Sequence, residues 1–422
     1  MYWLVETDTQ FDILSNSGFK EAFIEVIPYS FDTHPALNAV SLVYIRALNA
    51  SKGYLICLDH NESFSVSKTK VDKWLGDMEV LYCRNKKEIL HYFPLKTLYD
   101  INTPPNTYIP EQSIFSKLFY SGNKNLNNHN CIIPIVKHYE YCENIYLELK
   151  PSINKEKTKY EKFFNSRVSV VFNALERSGI HIQSEQFSKF FYNENGPKVY
   201  TQYNLGTTTT RPSNKFKGVN YAALNKENGC RKSFIPANDL FYEIDISAYH
   251  PSLSCRLIDY NFPTVDIHEH LQSLYGVSYA KSKELTFKQL YGGVFKQYKH
   301  IEFFSKIEKY VNKLWSDFKE IGWVECPISG FHFVDEALED MNPQKLFNYT
   351  LQCLETSMNV CILWDIFCLL KGKETKLVLY TYDSFLFDWS EKEANLMEEV
   401  GQIFKKYNLN IKTKQGYDYD FK

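Results

Sequence analysis

The 422-residue chain predicts a multidomain fold of α/β and α+β parts, and three observations lead there. It is too long for one ordinary core, so two or three subdomains are expected. Its first third alternates β-like runs with helical stretches, the pattern of an α/β layer. Its last third runs from a long helical stretch into a strand–turn–strand.

In the first third, the runs YWLVE, AVSLVYI, GYLICL and MEVLYC read as strands. The stretch from Pro104 to about Asn130, rich in Asn, Pro, Ser and Gly, reads as loop. An amphipathic helix is expected from near Lys155 through RVSVVFNALERSGIHI, with Gly179 as its C-cap. After the polar hinge YNENGPK comes the β-rich FYEIDISAYHPSL, then helical sequence from Lys281 to Ile321. The helix NYTLQCLETSMNVCILWDIFCLL leads into the hairpin KLVLYTYDSFLFDW. Ser390 and Glu393 have capping-box spacing for the final helix. There is no internal repeat and no low-complexity tract.

Hydrophobic residues at 44% and charged residues at 23% give a soluble globular balance. The best apolar run, VCILWDIFCLL, is too short to span a bilayer and is broken by Asp365. MYWLVETDTQ lacks the basic-then-apolar order of a signal peptide. The ten cysteines contain no C-x-x-C pair, which argues against zinc or a disulfide framework and for a reducing, cytoplasmic location. Charge is unevenly spread. Residues 1–149 hold 13 basic and 17 acidic side chains, residues 150–236 hold 15 and 6, and residues 237–422 balance at −7. A basic middle segment of +9 suits a local grip on a phosphate backbone, although a solvated lysine-rich face would look the same. Aromatic residues, at 16%, include potential stacking partners for bases, most of them destined for the core.

Three constellations bear on chemistry. TYDS puts Asp383 at the turn between two apolar runs, although Asp is also an ordinary turn residue. YEIDISAYHPSL puts Asp245 at the end of a β segment. Two such carboxylates can jointly hold a pair of Mg²⁺ ions, with Mn²⁺ as a substitute, and that arrangement suits phosphoryl transfer. In KSKELTFKQLYGG, Lys283, Phe287 and Tyr291 recur every fourth residue and form one helical stripe. A cation and two flat rings suit a triphosphate, a sugar–base face and a templating base. Taken alone, such a stripe is more often a core face.

In order, these features resemble motifs A, B and C of the family A DNA polymerases, the class of bacterial DNA polymerase I. An Asp ends a strand, K-x3-F-x3-Y-G follows on a helix, and an apolar hairpin carries Asp at its turn. QYNLGTTTTRPSN resembles the family's T-x-T-G-R-L-S-S segment, which carries Arg211 to the minor-groove arginine. NGCRKSFIP resembles G-x-x-I-R-x-x-F and carries Arg231. NYTLQ resembles N-x-x-x-Q and carries Asn348 and Gln352 to DNA-contacting positions, joined by Gly292 and Tyr382. ALERSGIHI resembles M-E-x-x-G-I-x-V. Together these matches cover about residues 165–422, and their ordered co-occurrence is far more specific than any one of them. Abundant Asn, Lys, Ile, Phe and Tyr point to an AT-rich genome, and the compactness resembles a phage-type enzyme.

The resemblance implies an N-terminal exonuclease-like (ribonuclease H-like) α/β domain, then a right-hand polymerase palm and fingers with a reduced thumb. The expected boundaries are 1–150, 151–236 for the thumb and entry to the palm, 237–275, 276–345 and 346–422. It also implies primer-template DNA and deoxynucleoside triphosphates as partners, two Mg²⁺ ions on Asp245 and Asp383, and Lys283 as a catalytic and nucleotide-binding cation. Phe287, Tyr291, His250 and Lys281 complete the nucleotide site. The departures are specific. Motif C reads Tyr382-Asp383-Ser384 where the family has His-Asp-Glu. Tyr279 replaces an arginine, for which Lys281 is the nearest substitute. His250 stands where the family has a glutamate that screens out ribose. Few residues remain for a long thumb, so a processivity factor or single-strand-binding protein is an expected partner. In the N-terminal third, Glu6, Asp8, Asp100 and Glu143 fall where exonuclease acids belong, but no motif is intact and a degenerate domain is expected. Two other readings stay open: a single-subunit RNA polymerase or primase-like relative, and a catalytically dead nucleic-acid-binding protein on the same fold.

Overall fold

The computed structural model describes residues 2–31, 33–104, 130–191, 196–214, 219–264 and 266–421. Most of the Asn- and Pro-rich stretch, 105–129, and residues 192–195 of the polar hinge lie outside the described residues. The chain divides into two compact units, Met1–Arg177 and Ser178–Lys422.

The first unit is built on a six-stranded sheet of β1 (Trp3–Val5), β2 (Glu21–Pro28), β3 (Val40–Ala47), β4 (Tyr54–Cys57), β5 (Val80–Cys83) and β6 (Leu98–Asp100), in the order β1-β4-β3-β2-β5-β6. The β2–β3 and β3–β4 pairs are antiparallel, whereas β1–β4, β2–β5 and β5–β6 are parallel. Both faces of β2 are covered, as a central strand requires. Ala22, Ile24 and Val26 enter a core with α1 (Asp8–Ser15), α2 (Lys68–Gly76) and α3 (Lys86–Tyr92). Phe23 and Ile27 point the other way, toward α4 (Ile135–Ile153).

The helix expected from Lys155 is three segments: α5 (Lys159–Phe163), a π-turn over Phe164–Val168, and α6 (Ser169–Ser178). Asn165 accounts for the interruption. Its side chain accepts from Asp100 N at 2.6 Å and donates to Asp100 O at 2.9 Å, while Lys86 takes its carbonyl at 2.8 Å. Gly179, at φ +64°, ends α6 as expected. Residues 151–177, assigned above to the thumb region, thus fall in the N-terminal unit.

The second unit carries the short strands β7 (Ile180–Ile182), β8 (Lys198–Val199), β9 (Tyr203–Asn204), β10 (Ser213–Asn214), β11 (Phe234–Ile235), β13 (Trp323–Glu325) and β14 (His332–Val334). It centres on an antiparallel sheet, β15-β16-β12-β17, of β12 (Leu240–Ile246), β15 (Lys376–Thr381), β16 (Ser384–Trp389) and β17 (Ile411–Gly416). One face packs Phe241, Val378, Leu379 and Leu386 onto Ile180, Ile182 and Phe234. On β16, Phe385 meets Phe404 of α13 (Leu396–Lys406) edge-on at 5.1 Å. The remaining helices are α8 (Tyr249–Leu257), α9 (Ile267–Tyr275), α10 (Tyr279–Gly292), α11 (Glu302–Ile321) and α12 (Pro343–Leu369), with α7 (Ser184–Phe187) near the start.

Two expectations change here. The 281–321 stretch is two helices, because Gly293 leaves α10 at φ +99°. Ser390 and Glu393 form no capping box: α13 begins at Leu396, Ser390 Oγ donates to Glu374 at 3.1 Å, and the Glu393 carboxylate accepts from Glu374 N and Thr375 N. No helix among the described residues is long and apolar enough to cross a membrane. All ten cysteines are free.

Candidate active site

Asp245 and Asp383 meet through the β12–β16 ladder. Asp245 is the cross-strand partner of Ser384, and Ile246 N donates to Asp383 O at 2.8 Å. Asp383 belongs to a two-residue hairpin turn closed by the Thr381–Ser384 pair. Tyr382 precedes it at φ +58°, a strained conformation for an aromatic residue. Two contacts hold Tyr382 there: Asn359 Nδ2 donates to its carbonyl at 2.7 Å, and the Arg211 guanidinium lies 3.7 Å above its ring. Burial pushes the Asp383 carboxyl up, and the like charges of Glu355 and Asp245 add to the rise.

A third acid sits on the same face of β12. Glu243 is two residues before Asp245, so the period of two puts both carboxylates on one side. Ser384 Oγ donates to Glu243 at 2.9 Å, and Lys414 Nζ stands 3.6 Å from Glu243 and 3.8 Å from Asp245. Burial, then Asp245, raises the Glu243 carboxyl. Ser384 thus has a carboxylate beside it, supplied by the neighbouring strand β12.

Among the described residues, no group of three or more His, Cys, Asp and Glu side chains forms a metal cage. The donor set instead fits Mg²⁺, which is commonly held by one or two carboxylates together with substrate phosphates. The mutual repulsion of Asp383, Asp245 and Glu355 is what a cation there would relieve.

Of the expected nucleotide and DNA residues, Tyr291 and Arg211 lie within electrostatic reach of Asp383, whereas Lys281 and Lys283 contact other side chains. Tyr291 OH pairs with His250 Nδ1 at 2.7 Å, and its ring stacks on Phe287 at 5.8 Å. Burial, then Glu355, pushes the Tyr291 hydroxyl up to about 12. Asn348 donates to Tyr291 O at 3.2 Å, and Gln352 accepts from Thr209 at 3.0 Å. Lys283 is exposed, 5.1 Å from the Tyr279 ring, with no carboxylate at ion-pair distance among the described residues. Lys281 instead pairs with exposed Glu284 at 2.8 Å. Gly292 ends α10 with open space where a Cβ would stand. Arg231 lies over Tyr419 at 4.7 Å, and its charge favours ionisation of Glu243.

The four N-terminal acids do not form one site. Glu6 follows β1 and Asp100 ends β6, the two outer strands, which five spacings of about 4.8 Å separate. Glu6 accepts from Ser63, and Asp8 caps Ser67 N and faces Lys70 at 3.5 Å. Glu143 is paired with Arg46 and accepts from Tyr44, Tyr139 and Gly53 N. Asp100 is buried beneath Asn165 and accepts from Lys86 N and Asn102 N.

Sequence reasoning missed Glu243, Glu355 and Asn359. Glu355 is buried between Arg211, 3.1 Å away, and His250, 3.4 Å away. Asn359 accepts from Tyr249 OH at 2.7 Å and donates to Tyr380 OH and Tyr382 O. A signal for both was present. Residues 348, 352, 355 and 359 are Asn, Gln, Glu and Asn at helical spacing, a polar stripe along an apolar helix.

No family model and no curated protein matches the chain. Among solved structures, it is similar to the POL domain of Pol1 from M. smegmatis, in complex with a DNA primer-template and dNTP. The two share 12% sequence identity at a TM-score of 0.73, over 97% of this chain and 98% of that one. The chain therefore has the fold of a DNA polymerase domain.

Proposed function

We propose that the chain is a template-directed DNA polymerase that adds deoxynucleotides to a primer 3′ end. The observation that carries this reading is the meeting of Asp245 and Asp383 at one end of the β12–β16 ladder, where Asp245 pairs with Ser384 and Ile246 N donates to Asp383 O, with Arg211 over the adjoining Tyr382 ring. That order of parts in the sequence and the fold shared with a polymerase domain support it together.

Mg²⁺ bound at the two aspartates would stabilise the attacking and leaving oxygens of an in-line displacement. The chain's own residues do the positioning. Lys283, free of carboxylate partners among the described residues, is available to a triphosphate. Phe287, Tyr291 and His250 form the wall for the sugar and base. Arg211 would contact the minor groove of the primer-template and Gln352 the DNA beside it, and Arg231 supports the β12 acids. Residues 179–233 carry no long helix among the described ones, which supports a reduced thumb.

The N-terminal unit is best read as a degenerate exonuclease-like domain. Its acids are dispersed, and two of them are neutralised by Arg46 and Lys70. Metal-dependent shortening of a single-stranded primer should be weak or absent, and rapid degradation lost in Asp8→Ala would refute this.

Primer extension with deoxy- and ribonucleotides side by side tests the main reading. Asp245→Asn and Asp383→Asn should each lower the extension rate on the order of 10³-fold or more, with DNA binding largely retained. Near-normal turnover by Asp383→Asn would sink the assignment, and equal use of both nucleotides by the parent would favour an RNA polymerase-like enzyme.

A further inference from the structure

One buried charge in the C-terminal unit has no role in the polymerase reading so far. The Glu355 side chain is 3% exposed. Arg211 reaches it from one direction, Nε 3.1 Å from Oε2 and Nη2 3.5 Å from Oε1. His250 approaches the same Oε2, with Nε2 at 3.4 Å. Both contacts to Oε2 are at ion-pair distance without hydrogen-bond alignment, and that oxygen has no hydrogen-bond partner. A buried carboxylate in that state constrains its surroundings, because whatever sits beside it must present N–H groups. His250 in turn meets the Tyr291 hydroxyl through Nδ1 at 2.7 Å, the two rings perpendicular with centroids 5.7 Å apart.

We propose that Glu355 is a specificity-determining positioning residue for the nucleotide sugar, acting through His250; this rests on the polymerase reading. The carboxylate draws the imidazole N–H to Nε2, which leaves Nδ1 as the acceptor for the Tyr291 hydroxyl. With Nδ1 bonded to the Tyr291 hydroxyl and Nε2 held by the carboxylate's charge 3.4 Å away, the ring is a fixed wall beside Tyr291. It offers an incoming 2′-hydroxyl neither a free acceptor nor a neighbour that can swing aside. Without the carboxylate the ring turns, and either nitrogen can face the extra hydroxyl. The sugar filter is then three residues deep, with its charge placed two contacts away from the sugar.

Single-nucleotide incorporation on one primer-template, with a deoxynucleotide and the matching ribonucleotide, tests this in the parent, E355A, E355Q, H250A and the E355A/H250A pair. E355A should lower the deoxy-to-ribo ratio of kcat/KM by roughly 10-fold or more, chiefly through a lower KM for the ribonucleotide. E355Q keeps an acceptor of the same shape and should restore most of the ratio. On the H250A background, E355A should change the ratio by less than about 2-fold, because its effect runs through the imidazole. A ratio in E355A within about 2-fold of the parent, or fully additive effects in the pair, would overturn the proposal. Should E355A fail to fold, ¹⁵N spectra of the parent's imidazoles decide instead: His250 protonated at Nε2 supports the proposal, and protonation at Nδ1 alone overturns it. A parent that extends with neither nucleotide would instead overturn the polymerase reading, whichever nitrogen carries the proton.

Discussion

Burial at the end of β6 pushes the Asp100 carboxyl up to about 7 from its ordinary 3.8, although Lys86 N and Asn102 N both donate to it. Between about pH 4 and pH 7, the folded chain therefore holds a proton there that the unfolded chain has released. The associated stability is present in full at the acid end and is lost as pH rises through 7, a difference of roughly 4 kcal/mol. Asp100→Asn turns its NH2 toward one of the two backbone N–H groups and should be destabilising at pH 4. Its stability should not fall with pH as the parent's does, so the gap should narrow by a few kcal/mol at pH 8. Urea denaturation of parent and variant at both pH values checks this, and parallel pH slopes would refute it. At this scale the sequence displayed some residues and hid others. Asp245 and Asp383 were legible because each interrupts an apolar run at a strand end, where a charge needs a reason. Glu355 was passed over despite its place in the polar stripe, because its partners Arg211 and His250 are distant in sequence and an acid on a helix ordinarily faces water. Asp100 looked like a metal ligand, whereas in the fold it is buried and both its oxygens accept from backbone amides.

Strands and helices were legible where their periodicity was clean. The hairpin of β15 and β16 was readable because two apolar runs flank a polar turn, and β1, β3, β4 and β5 followed from their apolar runs. β2 escaped because Glu25 breaks its run. That acid is buried and held by Arg84 at 2.8 Å, so a tertiary ion pair replaced the local signal. The capping box at Ser390 failed for a similar reason, since the Glu393 carboxylate found better donors in the Glu374 and Thr375 amides. One tie between elements can be tested directly. Asp388 of β16 is buried and accepts from Ala237 N at 2.9 Å and Asn238 N at 2.8 Å, fixing the chain as it enters β12. Asp388→Ala leaves both amides without that acceptor and should cost roughly 2–4 kcal/mol. Thermal unfolding of the variant measures it, and a loss below about 0.5 kcal/mol would show that solvent replaces the carboxylate.

Across the whole chain, the +9 charge of residues 150–236 lies between acidic segments, so DNA affinity should rest on a limited set of phosphate contacts. With no long helix among the described residues of 179–233, little is available to encircle a duplex. The isolated protein should add few nucleotides per encounter and lose affinity steeply as salt rises. Single-turnover extension with a heparin trap tests this, and products hundreds of nucleotides long at moderate salt, without partners, would refute it. The Tyr382–Asp383 turn has a different dependence. Asn359, with no exposed surface, joins Tyr249 of α8, Tyr380 of β15 and the Tyr382 carbonyl through three uncharged hydrogen bonds. A buried neutral amide has no counterions to release and no proton to exchange near neutrality. Ionic strength that would drive the protein off a template should therefore leave these three bonds unaltered, although it acts on the Arg211 charge over the Tyr382 ring. An excess of DNA at high salt should recover the full turnover number, so that salt acts on this protein as a competitor and not as a denaturant.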